Sequence, residues 1–297
     1  MYLSIGAHLD KKLKCEGEDA QGVMSAVAFL RAAGEGNPVD LAGKRVCVVG
    51  GGNVAMDCTR TARRLGALSV ECVYRRRIAD MTALPEEIEE ALAEGCQITQ
   101  LEAPVRIEAD EAGRVAALVT QPQVIGEIGR GGRPSPRAAA APERRIACDV
   151  VIVAIGQAID TAAFAGAVET EWGCIVANED GSIAETPGLF AGGDAVSGPS
   201  TVIKAIAAGK VAAANIDAAL GFAHDVHDAV DIPPAHAASG PCGRVELKNV
   251  NYAQAAQTFD IAKLGMSAEE AFQETSRCLR CDHHGFGATC KEEELAW

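Results

Sequence analysis

Aromatic side chains are scarce. Phe, Tyr and Trp make up 4% of the 297 residues, so the interior must be built from Ala, Val, Ile and Leu. That composition suits parallel strands covered by helices. Net positive charge is missing too, since 27 Lys and Arg stand against 41 Asp and Glu, leaving −14. Nucleic acid and anionic membranes both need clustered positive charge, so neither is an expected partner. No stretch reaches the roughly 18 apolar residues of a spanning helix. Residues 1–20 lack the charged start and apolar run of a secretory leader. The expectation is a cytoplasmic protein with no membrane span. Disulfide-scaffold spacing is also absent. The 11 cysteines are odd in number, and several, such as Cys47, lie inside apolar runs and read as small core residues in a reducing cell.

A chain of this length sits near the size at which single cores divide, so two domains plus a tail are expected. Residues 1–5 look like the end of a strand running into Gly6, and residues 8–22 are polar and turn-rich. Val23, Val27 and Leu30 have helical spacing and predict a helix over 23–33. Residues 44–50 form a β-branched strand. Ala55, Cys58, Ala62 and Leu65 then recur with a helical period, and Gly66 stands where a helix ends. Residues 69–74 make a second strand, completing a βαβ unit. Pro85, Glu86 and Glu87 open a further helix that Gly95 stops. Short strands follow from 96 to 124, with a turn at 110–113. Residues 126–145, rich in Gly, Pro, Arg and Ala, read as an exposed hairpin excursion. A continuous apolar strand is predicted over 149–155, a short strand over 189–193 and a long Ala-rich helix over 201–220. A linker over 221–240 leads to a last helix over 266–279, opened by Ser267 with Glu270 as a capping box.

Gly50, Gly51, Gly52, Asn53, Val54 and Ala55 fit G-x-G-x-x-A. The pattern follows a predicted strand and opens a predicted helix, which is the context that gives it meaning. Gly50 permits the tight turn, Gly52 admits a pyrophosphate close to the backbone, and Ala55 allows close helix–strand packing. The helix N-terminus adds positive partial charge. Where an NAD site would place an acidic residue after the second strand, Arg75, Arg76 and Arg77 stand instead. Guanidinium groups bind a 2′-phosphate that a carboxylate would repel. NADPH is therefore expected over NADH, with Arg75 and Arg76 as its ligands and Arg77 turned toward solvent.

Gly193 and Asp194 follow a short strand and precede a long helix. Asp194 has the position to bind ribitol hydroxyls. Ser200, Thr201 and Val202 open the helix whose dipole would favour negative charge on a flavin pyrimidine edge. Read as bare spacing, a capped turn remains the equal alternative.

Five segments occur in this order in one family: 50–57 (GGGNVAMD), 74–76 (YRR), 81–87 (MTALPEE), 149–157 (DVVIVAIGQ) and 186–194 (TPGLFAGGD). The chain resembles the glutamate synthase small-subunit family of FAD- and NADPH-dependent oxidoreductases over about residues 1–220. The resemblance implies an α/β fold in which a Rossmann-like NADPH domain is inserted into an incomplete Rossmann-like FAD domain. Residues 11–147 would form the NADPH domain, 1–10 with 148–220 the partial FAD domain, and 221–297 a linker, helix and Cys/His tail. The repeated Ser4-Ile5-Gly6-Ala7 and Ala154-Ile155-Gly156-Gln157 would bracket the insertion. Gly156 and Gln157 join the NADPH set, and Gly6 joins Gly193, Asp194, Ser200, Thr201 and Val202 in the FAD set. Hydride transfer between nicotinamide and flavin is implied, with electrons exchanged with iron–sulfur partner subunits.

Two departures stand out. The family's Cys-rich segment and first FAD glycine motif have no counterpart here, so another chain, or more of the same chain, is expected to supply that half. Cys15 is alone between Gly6 and Gly50, which disfavours the Cys-x-x-Cys chemistry of a disulfide reductase. At the other end, Cys278, Cys281, His284 and Cys290 are candidate ligands for zinc or for part of an iron–sulfur cluster, with a frayed tail of free thiols as the alternative. A cluster would draw a fourth thiol from Cys242 or a partner. His224 and His227 read as solvated linker residues. The competing class is a non-catalytic nucleotide-binding or scaffolding subunit that has lost its flavin.

Overall fold

The computed structural model describes residues 1–129, 134–224 and 243–277. In chain order the strands are β1 (Tyr2–Leu3), β2 (Leu9–Asp10), β3 (Val23–Ser25), β4 (Arg45–Val49), β5 (Ser69–Tyr74), β6 (Gln97–Gln100), β7 (Glu102–Ala109) and β8 (Val115–Ile128). Then come β9 (Pro134–Ala138), β10 (Arg144–Ala147), β11 (Val150–Val153), β12 (Gln157–Ala158), β13 (Thr170–Glu171), β14 (Cys174–Ile175) and β15 (Phe190–Ala191). The helices are α1 (Ala26–Gly34), α2 (Asn53–Arg64), α3 (Pro85–Ala93), α4 (Asp194–Ser197), α5 (Val202–Ala219), α6 (Tyr252–Ala255) and α7 (Ala268–Ser276).

A five-stranded parallel sheet of order β3-β11-β4-β5-β6 forms the centre of the first unit. Strand alternation sorts its side chains between two layers. Val46 and Val48 of β4 pack under the helices with Ala55, Met56, Ala62 and Phe29. Cys47 and Val49 point the other way, onto Ile107, Leu118 and Ile146 of the antiparallel sheet β7-β8-β10. The result is three layers: helices, parallel sheet, antiparallel sheet. Across the helical layer, Glu94 is fully buried and receives Arg60 at 2.9 Å and Arg64 at 2.7 Å. Burial pushes its carboxyl up, and the two arginines more than reverse this, holding it below the usual carboxylate range. A second, smaller cluster gathers Leu3, Ile175, Ile183, Leu189 and Ala191 around the parallel pair β1–β15.

Two expectations need correction. The resemblance places the strand over 149–155 with 148–220 in the partial FAD domain, yet β11 lies between β3 and β4 in the central sheet. Its four residues are all buried, so it needs cover on both faces, and only the middle of the parallel sheet provides that. The helix expected over 23–33 is split. Val23–Ser25 pairs with β11 as an edge strand, and α1 begins only at Ala26, where the Ser25 hydroxyl accepts from Ala28 N at 3.2 Å. Ala26 and Phe29, rather than Val23 and Val27, are the side chains fully inside. Within the excursion over 126–145, β9 pairs antiparallel with the far half of β8, and residues 130–133 lie outside the described residues.

In the second unit, α7 carries the capping box read from Ser267 and Glu270. Lys248 pairs with Glu270 at 3.2 Å. Cys278, Cys281, His284, Cys290 and Cys242 lie outside the described residues. No helix among the described residues is long and apolar enough to cross a membrane.

Candidate functional site

Because β4, β5 and β11 are parallel, Gly50, Arg75 and Ala154 all emerge at one edge of the sheet, the carboxyl edge where open α/β sheets take ligands. Gly50 has φ +156°, and a Cβ there would lie 2.3 Å from Ala154 O. The turn from β4 into α2 is therefore closed around the end of β11. Gly51 has a different reason to be glycine. Its Cβ would sit 2.4 Å from the Tyr74 ring, which is buried and donates its hydroxyl to Asp80 O at 2.9 Å. Gly52 caps α2 with extended backbone and no side-chain bond. The N–H groups of Gly52, Asn53 and Val54 find no acceptor among the described residues, as expected for the first N–H groups of a helix.

The 81–87 segment, whose Pro85 opens α3, also covers this turn. Thr82 N and Ala83 N donate to Gly51 O at 3.0 and 3.2 Å. Asn53, expected at the cofactor, spends its side-chain oxygen on Leu84 N at 2.8 Å. What Asn53 leaves unengaged at the turn is its backbone N–H.

The three arginines are not equivalent. Arg77 forms a two-pronged pair with Asp80, Nε at 2.8 Å and Nη2 at 2.9 Å. That pair draws the Asp80 carboxyl below its ordinary range. Arg77 is therefore exposed but engaged, not simply turned to solvent. Arg76 is half-buried and donates Nε to Pro134 O at 2.8 Å. Arg75 is exposed, with no hydrogen bond or ion pair among the described residues. Gly156, exposed at φ +109°, lies just beyond β11, and Gln157 is half-buried in β12, where it pairs with Asp10.

A second site forms at the carboxyl ends of β1 and β15. Gly6 follows β1 and Gly193 follows β15, with φ +65° and +66° respectively. Gly192 is needed because a Cβ there would meet the Tyr2 hydroxyl at 2.3 Å, a requirement invisible in the sequence. Asp194 accepts from Ser200 N at 3.1 Å through one carboxylate oxygen. With Ser200, Thr201, Val202, Ala205 and Ile206 it lines an open cleft of about 390 Å³. The first turn of α5 has no side-chain cap from Thr201. Gly6, Gly193, Asp194 and the Ser200–Val202 stretch thus share one end of the small cluster, apart from the glycine turn's sheet.

The described cysteines are unpaired thiols. Burial pushes Cys72 and Cys96 up to about 12, so these two thiols stay protonated near neutral pH. His224 is exposed and pairs with Asp217 at 2.7 Å.

The chain is 38% identical over 220 residues to the NADP(+)-dependent formate dehydrogenase subunit beta of Moorella thermoacetica, covering 73% of this chain and 31% of that protein. It is 34% identical over 232 residues to the glutamate synthase [NADPH] small chain of Escherichia coli, covering 73% and 49%. It therefore spans between about a third and a half of the length of these relatives. Its fold is similar to that of Mycobacterium tuberculosis FprA in complex with NADPH, with TM-score 0.61 and 19% identity over 74% of this chain and 63% of that one. The family model for pyridine nucleotide-disulphide oxidoreductases matches residues 3–209, and the chain belongs to that family.

Proposed function

We propose that this chain is the NADPH-binding part of a flavin oxidoreductase. In it, hydride passes between NADP(H) and FAD, and electrons are exchanged with iron–sulfur partner subunits. The observation that carries this reading is the juxtaposition of an uncapped glycine turn with Arg75 and Arg76 at one sheet edge. Gly52, Asn53 and Val54 would hold the pyrophosphate through backbone N–H groups, and Gly50 and Gly51 keep the turn free of side chains. Arg75 and Arg76 would take the 2′-phosphate, while Gly156 and Gln157 flank the route toward the nicotinamide.

The residues of the second site fit a flavin. Asp194 retains one carboxylate oxygen for ribitol hydroxyls, and the uncapped α5 N-terminus offers N–H groups to a pyrimidine edge. FAD supplies the hydride chemistry when bound, and the protein supplies binding, orientation and charge. Two strands and one open cleft do not enclose a dinucleotide, so a further segment of the flavin domain would complete this site. Cys278, Cys281, His284 and Cys290 would hold zinc or part of an iron–sulfur cluster. The competing reading, a scaffolding subunit without flavin, draws on the openness of the second site. A visible spectrum of the purified assembly separates the two.

Replacing Arg75 and Arg76 together by Ala tests the coenzyme assignment. NADPH binding should weaken by about 2–4 kcal/mol, from one or two lost charge-assisted contacts, with NADH binding little changed. Equal losses for both coenzymes refute the 2′-phosphate site.

A further inference from the structure

The proposed 2′-phosphate site is built by two sheets. Arg76 lies at the end of the parallel sheet, but the antiparallel sheet holds it in place. Leu101, between β6 and β7, donates its N–H to Arg76 O at 3.0 Å, and Gln123 N on β8 donates to Leu101 O at 2.7 Å. The side chain is caught as well, since Arg76 Nε donates to Pro134 O at the start of β9, 58 residues away in sequence. Pro134 is placed there by the pairing of β9 with β8. Gly126 allows the facing strand to approach, because a Cβ at that position would lie 2.8 Å from Ser135 O. The ladder shifts register between Ile125 and Ile128, an irregularity of the kind that bends a hairpin.

We infer that the β8–β9 hairpin is the element that makes this chain selective for a 2′-phosphorylated coenzyme, by fixing the guanidinium of Arg76. The inference rests on the NADPH reading above. A guanidinium has five N–H donors in a rigid fork. Anchoring Nε to a main-chain carbonyl uses one donor and leaves the four on Nη1 and Nη2 for an anion. It also removes side-chain rotations that an unanchored arginine would lose on binding. Arg77 shows the contrast. Asp80 engages both Nε and Nη2, leaving Arg77 little to offer a phosphate. Arg75 supplies charge without an anchor. Pro134 acts through its carbonyl, so it is a positioning residue and its side chain is not the relevant part.

The hairpin can be removed without disturbing the rest of the ladder. Val124 faces Arg137 across it, so replacing residues 125–136 by Asn-Gly closes a two-residue turn at that pair. The experiment titrates NADPH, NADH and 2′,5′-ADP into the full chain, the excised variant, Arg76→Lys, and the excised variant carrying Arg76→Lys. Lysine keeps the cation but cannot both hold the carbonyl and present a planar fork. Excision should weaken NADPH and 2′,5′-ADP by roughly 5- to 20-fold, the range expected for losing one oriented charge-assisted contact in part, and leave NADH within about twofold. Arg76→Lys should give a similar loss in the full chain and little further loss after excision. Parallel losses of NADPH and NADH, or unchanged NADPH binding after excision, overturn the hairpin's role while leaving the coenzyme assignment intact. A full chain that binds NADPH and NADH equally overturns the 2′-phosphate reading and this inference with it. Should the excised variant fail to fold, Arg76→Lys in the full chain decides. An unchanged NADPH-to-NADH ratio there removes the anchored fork as the source of selectivity.

Discussion

At the scale of single residues, charge is placed where backbone elements meet. Asp149 stands just before β11 and joins it to β4. One carboxylate oxygen accepts from Arg45 N at 2.8 Å and Nε at 3.0 Å, and the other from Nη2 at 2.6 Å. The Arg45 hydrogen bonds hold the Asp149 carboxyl down at about 2. A depressed carboxylate stabilises the fold fully above its unfolded value, near 3.9. That stability is lost as pH falls through the folded value. Asp149→Asn should therefore be less stable than the parent at pH 7, with the difference narrowing from about pH 4 toward pH 2. The pair is partly solvated, so screening keeps the difference at neutral pH small. Urea midpoints of both proteins across that range measure it, and a gap that stays constant down to pH 2 refutes the assignment.

At the scale of elements, Gly51 and Gly52 separate structure from ligand. Gly51→Ala drives a Cβ into the Tyr74 ring, so the ring must leave Asp80 O. A loss of about 1–3 kcal/mol is expected for such overpacking. Gly52→Ala meets only Thr82 Oγ1, at 3.4 Å, and its backbone is already extended. It should leave stability within about 0.5 kcal/mol, as neutral substitutions do, and still obstruct NADPH. Denaturation curves and coenzyme titrations on both variants tell these apart; equal destabilisation would show that the two glycines serve the same purpose. The contrast also marks what was legible in the sequence. The β4-α2-β5 unit was readable because strand, glycine turn and helix are local patterns, and α3 announced itself through Pro85, Glu86 and Glu87. Val23–Ser25 was not, because three residues carry no period of their own and borrow strand structure from β11. The host sheet of β11 was equally hidden, since an apolar run says that it is buried and not beside which strand. The Arg76–Pro134 and Gly51–Tyr74 contacts join distant or differently facing residues, and no spacing rule reaches them.

At the scale of the whole molecule, α5 is under-used. Val202, Ile203 and Ile206 are 76%, 79% and 55% exposed, while Ala212 is its only fully buried residue. Val202 and Ile206 line the cleft proposed for the flavin, and apolar side chains left in water favour association. The chain by itself should therefore self-associate on size-exclusion chromatography and carry little flavin. Ile203→Glu should reduce the association without lowering the melting temperature, because Ile203 is exposed and no described residue depends on it for packing. A monodisperse monomer with stoichiometric FAD would overturn both the exposed-helix argument and the proposed need for a completing segment.

The strands β2 and β12 pair antiparallel, and Lys11 N reaches Gly156 O at 3.2 Å. The chain thus leaves the small cluster and returns to it at almost the same point. To its host, everything between is a loop of nearly zero span, although it holds the whole parallel sheet and the glycine turn. Closing so long a loop costs little more than closing a short one, because the entropy grows only with the logarithm of length. Residues may therefore be gained or lost inside the sheet's excursions, the β8–β9 hairpin included, without changing the distance the host must bridge. The glycine turn and the Asp194 cleft are, in this sense, separately adjustable within a single chain.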